Sequence, residues 1–105
     1  NLGDIGTHFP DNSEQFKNID SKILLKKTDA LVKNAGFEIV NIDSTVSAQQ
    51  PKLKPFITEM KKVMAEVLGI ETGQISVKAT TTEKLGFEGR EEGISAHAVA
   101  LVQKK

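Results

Sequence analysis

The stretch Ile94-Ser-Ala-His-Ala-Val-Ala-Leu-Val-Gln103 decides the fold of this 105-residue chain. When it is extended, alanines and Val102 lie on one side, and Val99 and Leu101 lie on the other. A strand that is apolar on both faces is covered on both sides in a folded protein. Two helices are predicted elsewhere in the chain, and we expect them to cover one face of the sheet. We expect a neighbouring subunit to cover the other face.

Both helices are predicted from apolar residues at helical spacing. The first spans about residues 21–35, with Asp20 at the N-cap position and Gly36 after its end. The second spans about residues 55–68 and stops at Gly69. Its apolar face consists of Met60, Val63, Met64, Val67 and Leu68. We interpret the two methionines as core-filling residues rather than as a ligand surface.

Two further strands show apolar residues alternating with polar ones. They span about residues 37–48 and 75–80, and the two-faced strand follows them. The order α-β-α-β-β predicts an α+β fold, a two-layer sandwich with a mixed β-sheet and helices on one face. We expect residues 1–105 to form a single domain that oligomerises through its sheet. The segments 3–13 and 81–93, rich in Gly and polar residues, are predicted to be irregular.

The charge balance argues against two classes of partner. The chain carries 14 Lys and Arg residues against 14 Asp and Glu residues, so its net charge is zero at pH 7. Nucleic acids and anionic membranes recruit a basic excess, so neither is expected as a partner. Hydrophobic residues make up 38% of the chain, which favours apolar surface buried against another chain. No apolar run is long enough to span a bilayer, and no targeting signal is visible.

Composition also restricts metal and thiol chemistry. The chain has no cysteine, which excludes disulfides, thiolate catalysis and cysteine-ligated metals. Its two histidines, His8 and His97, are far apart in sequence, so no zinc site with familiar spacing can be written within the chain. We interpret His97 as a structural or interface residue, whereas His8 adjoins a candidate ligand loop.

Polar residues that suit a ligand collect in four loops, of which the first two precede helices. The first joins Gly3-Asp4-Ile5-Gly6 to Phe9-Pro10-Asp11-Asn12-Ser13, where glycines allow close approach and a carboxylate can accept from a diol. The alternative is a turn whose polar side chains cap their own backbone. The second loop, Ala48-Gln49-Gln50-Pro51-Lys52, could form a small-ring pocket with positive charge from its lysine. Its alternative is an ordinary connection between strand and helix.

The other two loops follow the strand at residues 75–80. The third, Lys78-Ala79-Thr80-Thr81-Thr82-Glu83-Lys84, places three hydroxyls and a carboxylate where that strand ends. It could cradle a phosphate whose oxygens share a divalent cation with the carboxylate, or its threonines could simply favour a strand. The fourth, Gly86-Phe87-Glu88-Gly89-Arg90, offers a guanidinium to phosphate or carboxylate. Its alternative is an ion pair of the arginine with Glu91 or Glu92.

Taken in order, the four loops closely resemble those of the 2-C-methyl-D-erythritol 2,4-cyclodiphosphate synthases of non-mevalonate isoprenoid biosynthesis. The most specific part is the run Lys78-Ala-Thr-Thr-Thr-Glu-Lys-Leu-Gly-Phe-Glu-Gly-Arg90, and the match extends from about residue 3 to the C-terminus. The resemblance implies a homotrimeric lyase with active sites between subunits. The 2-phosphate of 4-diphosphocytidyl-2-C-methyl-D-erythritol 2-phosphate attacks the β-phosphorus, closes the cyclic diphosphate and expels CMP.

The resemblance also implies roles for individual residues. Thr81 would be catalytic, donating to the transferring phosphates, and Glu83 would ligate a Mg²⁺ or Mn²⁺ ion that bridges the α- and β-phosphates. The substrate-binding residues implied are Asp4, Ile5 and Gly6 at the erythritol; Phe9, Pro10, Asp11, Asn12 and Ser13 at the 2-phosphate; Ala48, Gln49, Gln50, Pro51, Lys52, Leu53, Lys54 and Thr80 around cytosine; and Thr81, Thr82, Glu83, Phe87 and Arg90.

The front of the chain departs from the family pattern. Thr7 stands where lysine is frequent, and Asn12-Ser13 replaces a more acidic pair. Family members carry an N-terminal segment with an Asp-x-His pair and a further His that bind Zn²⁺, and Asn1 begins after it. We therefore expect the C-terminal portion of a longer synthase domain from a cytoplasmic, bacterial-type enzyme. The alternative function is a non-catalytic, cytidine-nucleotide-binding trimer that lacks the metal site.

Overall fold

The computed structural model describes residues 3–8 and 20–105. The elements are α1 (Ile5–His8), α2 (Ser21–Asn34), β1 (Phe37–Ser47), a 3₁₀ turn (Lys54–Phe56) that runs into α3 (Ile57–Leu68), a second 3₁₀ turn (Thr72–Gln74), β2 (Ile75–Thr80), α4 (Gly86–Gly89) and β3 (Ser95–Lys104). The predicted order of long elements is confirmed. In the part of the chain that the structure describes, no helix combines the length and the apolar character needed to cross a membrane.

The helix ends follow the local chemistry of their caps. The Asp20 side chain accepts a hydrogen bond from the Lys22 backbone N–H at 2.8 Å and begins α2. At the end of α3, Gly69 adopts a left-handed conformation with φ 66°, which glycine reaches without the Cβ clash of other residues. The predicted start of the first helix after Asp20 and the predicted end of the second helix at Gly69 are therefore confirmed.

The three strands form one mixed sheet in the order β2-β1-β3. Strand β1 is parallel to β2, with Ser47 opposite Thr80, and antiparallel to β3, with Ser47 opposite Ser95. The C-terminal ends of β1 and β2 and the N-terminal end of β3 therefore lie side by side. We call this end of the strands the loop end of the sheet. The second, third and fourth polar loops all leave or enter the sheet there.

Strand β1 departs from strict alternation near its start. The register with β3 shifts between Ile39 and Asn41, so one extra residue is accommodated in β1 as in a β-bulge. The carbonyl of Val40 accepts a hydrogen bond from the Gln74 side-chain amide at 2.7 Å. Beyond this point exposed and partly buried residues alternate from Asn41 to Ser44, whereas residues 44–47 are all partly buried, so the predicted period-two pattern holds only in part.

The core lies between α3 and β2. Ala65, Ile75 and Val77 are buried, and Leu68 is only 2% exposed. Helix α2 packs against α3 and β1, so the two long helices form one layer on the sheet. Partly buried side chains that complete the core are Ile57, Met60, Met64 and Ile70. The core-filling role predicted for the methionines and the α+β sandwich with helices on one face are both confirmed.

Strand β3 differs from its prediction. Val99 is 74% exposed and Leu101 is 55% exposed, while Val102 on the opposite face is 40% exposed. The expectation that the helices cover one face of this strand is wrong, because α2 and α3 pack over β1 and β2 and leave the edge strand beyond them. Among the residues that the structure describes, both faces of β3 are exposed, so each presents apolar surface that another protein surface could cover.

Two one-turn helices lie in segments predicted to be irregular. Helix α1 lies within residues 3–13, and α4 lies within residues 81–93. Each has four residues, which is too short for a 3.6-residue repeat to show in the sequence. They arise instead from local hydrogen bonds of the adjoining loops, described below.

Candidate functional site

The loops that follow β1 and β2 enclose a recess at the loop end of the sheet. Its open volume is about 350 Å³, counting the part that opens to solvent. The residues lining it are Ala48, Lys52, Leu53, Lys54, Ala79, Thr80 and Thr81. The Ala48 N–H donates to the Thr80 carbonyl at 3.1 Å, so the parallel pairing of the strands continues into their loops. The second and third predicted loops are thus brought together.

The second loop supplies one wall and two cations. Ala48 is buried, whereas Lys52 and Lys54 are exposed at the rim. Neither lysine forms an ion pair with a described residue, so both charges remain available to an anion. Gln50 and Pro51, joined by a cis peptide bond, are exposed and lie outside the lining.

The third loop presents a hydroxyl and a carboxylate beside the recess. The Thr81 hydroxyl oxygen accepts from the Glu83 backbone N–H at 3.3 Å, and its own proton has no acceptor among the described residues. The Glu83 carboxylate is exposed and contacts no cation among those residues. The Thr82 hydroxyl instead donates to the Leu85 carbonyl. Thr81 and Glu83 are therefore available to a ligand, whereas Thr82 stabilises the turn.

The turn after the threonines has an unusual backbone. Glu83 and Lys84 both adopt left-handed conformations, with φ 53° and 66°, which a Cβ atom disfavours. The backbone of Gly89 lies directly against this turn: a Cβ added there would lie 2.2 Å from the Lys84 carbonyl carbon. Packing therefore requires glycine at position 89, because a larger side chain there would collide with the Lys84 backbone. This requirement was not predicted from the sequence, although paired glycines after a polar loop are a usable signal.

The fourth loop is fixed to the start of β3. Ser95 donates from its hydroxyl to the Glu88 carboxylate at 2.8 Å, and Arg90 forms an ion pair with Glu92. This ion pair is the alternative that the sequence left open for the arginine. Phe87 is 46% exposed, and its ring lies against Gly93. Neither Phe87 nor Arg90 lines the recess of this chain.

The first loop is only partly described. Asp4 accepts at Oδ1 from both the backbone N–H and the hydroxyl of Thr7, each at 2.9 Å. These bonds cap α1, which contains Ile5 and Gly6, and correspond to the capped-turn alternative. Residues 3–8 do not line the recess. The expected contacts from Phe9, Pro10, Asp11, Asn12 and Ser13 lie outside the described residues.

A multidentate metal centre is not present among residues 3–8 and 20–105. They contain no group of three or more His, Cys, Asp or Glu side chains placed to hold an ion. His97 is exposed on β3 opposite Thr45. Within the described part of the chain, Glu83 is the acidic side chain beside the threonine run that faces solvent without a partner.

The chain is similar to proteins of one family over almost its whole length. A model of the YgbB family matches residues 1–103. The chain is 61% identical over 104 residues to the 2-C-methyl-D-erythritol 2,4-cyclodiphosphate synthase of Bacteroides fragilis, covering 99% of this chain and 65% of that protein. It is 59% identical over 104 residues to the enzyme of the same name from Parabacteroides distasonis, with the same coverage. The chain thus spans 65% of the length of these curated relatives.

Solved structures show the same fold. The bifunctional IspDF from Campylobacter jejuni superposes with a TM-score of 0.94 at 46% identity, over 99% of this chain and 28% of that one. The IspF of Plasmodium falciparum, solved as a CDP complex, superposes with a TM-score of 0.83 at 37% identity. That match covers 98% of this chain and 61% of the Plasmodium chain.

The contact between Gly89 and the turn predicts a site-specific loss of stability. Gly89→Ala should lower the free energy of unfolding by about 1–3 kcal/mol, because its methyl group displaces the Lys84 backbone. Gly73→Ala is the matched control, since a Cβ there meets no atom within 4 Å. Urea unfolding followed by circular dichroism measures both. Equal effects of the two substitutions would contradict the close approach.

The bond between Ser95 and Glu88 predicts a pH effect. The Ser95 hydroxyl, then the Glu88 backbone N–H and the charge of His97, lower the pKa of the Glu88 carboxyl below its ordinary value. Because the folded-state pKa is lowered, this contact stabilises the fold above the ordinary glutamate pKa, and the stabilisation is lost as the pH falls through the folded-state pKa.

Ser95→Ala should therefore raise the pKa of Glu88 towards its ordinary value, as measured by a carbon-13 NMR titration of the carboxyl group. Ser76→Ala, on the exposed side of β2, is the control and should leave that pKa unchanged. A Glu88 pKa that is the same in wild type and Ser95→Ala would show that the hydroxyl does not hold the carboxylate.

Proposed function

We propose a function on the premise that this chain belongs to the YgbB family. The full-length protein converts 4-diphosphocytidyl-2-C-methyl-D-erythritol 2-phosphate to 2-C-methyl-D-erythritol 2,4-cyclodiphosphate and CMP. One observation carries the proposal: the second and third loops, which hold residues of the family pattern, meet at one recess whose lining includes Thr81, and the exposed Glu83 follows in the same loop. The names of the Bacteroides and Parabacteroides relatives support the same reaction.

The reaction is an intramolecular phosphoryl transfer. An oxygen of the 2-phosphate attacks the β-phosphorus, the bond from that phosphorus to the bridging oxygen breaks, and CMP leaves with the bridging oxygen. Because the nucleophile is tethered to the electrophile, the protein has to fold the substrate and stabilise the charge on the transferring group. The Thr81 hydroxyl, whose oxygen is held by the Glu83 N–H, donates to a phosphate oxygen in this scheme.

The recess between the two loops suits the cytidine end of the substrate. Its lining combines the small Ala48 and Ala79 with the apolar Leu53, and its rim carries Lys52 and Lys54. Small apolar surfaces accept a planar base, and the lysines attract the diphosphate. The Plasmodium relative solved as a CDP complex supports a cytidine nucleotide as the kind of ligand that binds here.

A divalent cation fits Glu83. Mg²⁺ is usually held by one or two carboxylates together with substrate phosphates and water, and Glu83 offers one exposed carboxylate next to the Thr81 hydroxyl. When bound, the Mg²⁺ or Mn²⁺ ion neutralises charge on the diphosphate. Among residues 3–8 and 20–105, no cluster of three His, Cys, Asp or Glu side chains is placed to hold a zinc ion. We place its ligands in sequence before residue 1.

The remaining expectations concern the assembly of the protein and the residues that complete its site. We propose that residues 1–105 are the C-terminal portion of a single synthase domain in a cytoplasmic, bacterial-type homotrimer. The bare faces of β3 would be covered there, and Phe87 and Arg90 would complete the site near the trimer axis. Asp4 and the loop through Ser13 would bind the erythritol phosphate. No nucleic acid or membrane takes part.

Release of CMP tests the proposed function. The full-length gene product, with Mg²⁺ and Zn²⁺, should release CMP from the diphosphocytidyl substrate and form the cyclic diphosphate, both visible by phosphorus-31 NMR. Chelation with EDTA should abolish the reaction, because the diphosphate charge is then not neutralised. A metal-replete protein that binds CMP in calorimetry but releases none would instead establish the non-catalytic nucleotide-binding trimer.

Thr81→Ala should reduce turnover more than substrate affinity. If the hydroxyl acts mainly in the transition state, kcat falls by about 100-fold and KM stays within about threefold of wild type. Thr58→Ala, on the exposed surface of α3, is the matched control and should retain full activity. Steady-state kinetics of CMP release give both constants. A change confined to KM would assign Thr81 to binding alone.

A further inference from the structure

We propose that Gln49 is a positioning residue: its side-chain carbonyl holds the Glu83–Lys84 turn in place and so orients Thr81 and Glu83. The Lys84 backbone N–H donates to Gln49 Oε1 at 3.2 Å, across 35 residues of sequence. Gln49 is half-buried, and its side chain does not line the recess. Its amide therefore faces the neighbouring loop rather than a ligand in the pocket.

The turn that Gln49 contacts depends on outside support. Two consecutive residues with Cβ atoms, Glu83 and Lys84, are held at positive φ, a conformation that such residues leave when nothing constrains them. Inside the turn, the Glu83 N–H binds the Thr81 hydroxyl oxygen and the Leu85 N–H binds the Thr82 carbonyl at 3.0 Å. Beneath it lies the backbone of Gly89.

Gln49 supplies the contact from the remaining side. It follows Ala48, whose backbone pairs with Thr80, so it extends from a point fixed to β2. The Gln49 side chain, which has a fixed length, therefore joins the turn to the wall of the recess through its hydrogen bond with the Lys84 N–H. Because the Glu83 N–H also binds the Thr81 hydroxyl oxygen, displacement of this turn moves the hydroxyl and the carboxylate together.

This inference rests on the proposed function and leads to a kinetic pattern. Gln49→Met keeps the length of the side chain and removes the carbonyl. In the full-length enzyme kcat should fall about five- to tenfold, as for loss of one hydrogen bond, with the KM for the diphosphocytidyl substrate within about threefold. The Mg²⁺ concentration at half-maximal rate should rise by a similar factor, because Glu83 is less well oriented.

Two variants separate positioning from general damage. Gln49→Glu retains an acceptor oxygen at the same distance and should return kcat to within about threefold of wild type. Gln103→Met removes the same side-chain amide from a hydrogen bond to Glu38 on the exposed surface of the sheet. It lies about 30 Å along β1 from the loop end and should leave kcat and the Mg²⁺ dependence unchanged.

Hydrogen exchange of the Lys84 amide, followed by NMR, tests the contact without any turnover. Exchange should be about five- to tenfold faster in Gln49→Met than in wild type and be restored in Gln49→Glu. Wild-type kcat and unchanged Lys84 exchange in Gln49→Met would overturn the proposal. A loss confined to KM would also overturn it and make Gln49 a pocket-wall residue. Absence of CMP release by the wild-type enzyme would refute the proposed function alone, since the amide measurement would still decide the contact.

Discussion

The parallel pairing of β1 with β2 is the constraint on which the rest of the site depends. It places Ser47 beside Thr80 and continues into the hydrogen bond from the Ala48 N–H to the Thr80 carbonyl. Carboxyl ends of parallel strands necessarily lie at the same edge of a sheet, and ligand sites collect there in α/β proteins for the same reason. Two loops separated by about thirty residues thus become the two walls of one recess.

Elements with a clear periodic signal could be predicted from the sequence. The helices could be predicted from the caps at Asp20 and Gly69 and from the apolar face of α3. Strand β2 could be predicted from its alternation, because each of these signals is local. The cover over β3 could not be predicted in the same way. Its apolar pattern predicts that both faces are covered, but how far the helical layer extends depends on how α2 and α3 pack over β1 and β2.

In the candidate site, too, local sequence patterns could be interpreted, whereas contacts set by tertiary packing could not be predicted. The family resemblance of the threonine run implied ligand roles for Thr81 and Glu83. Ala48, Leu53 and Thr80, for which it implied contacts to cytosine, line the recess, and those contacts stay a prediction. The contact between Gln49 and Lys84 joins positions 35 residues apart. It has no sequence signature, because its donor is a backbone N–H, which every residue except proline carries. The approach of Gly89 to Lys84 is equally a product of tertiary packing.

The bare edge of β3 has a consequence for biogenesis. Its ten residues are synthesised well after those of β1, the strand with which they pair. Until other protein surfaces cover it, an apolar strand with one unpaired edge can pair with an incorrect strand and aggregate. Within the described part of the chain, β3 is therefore the segment at which pairing with an incorrect strand is most favoured before its faces and its edge are covered.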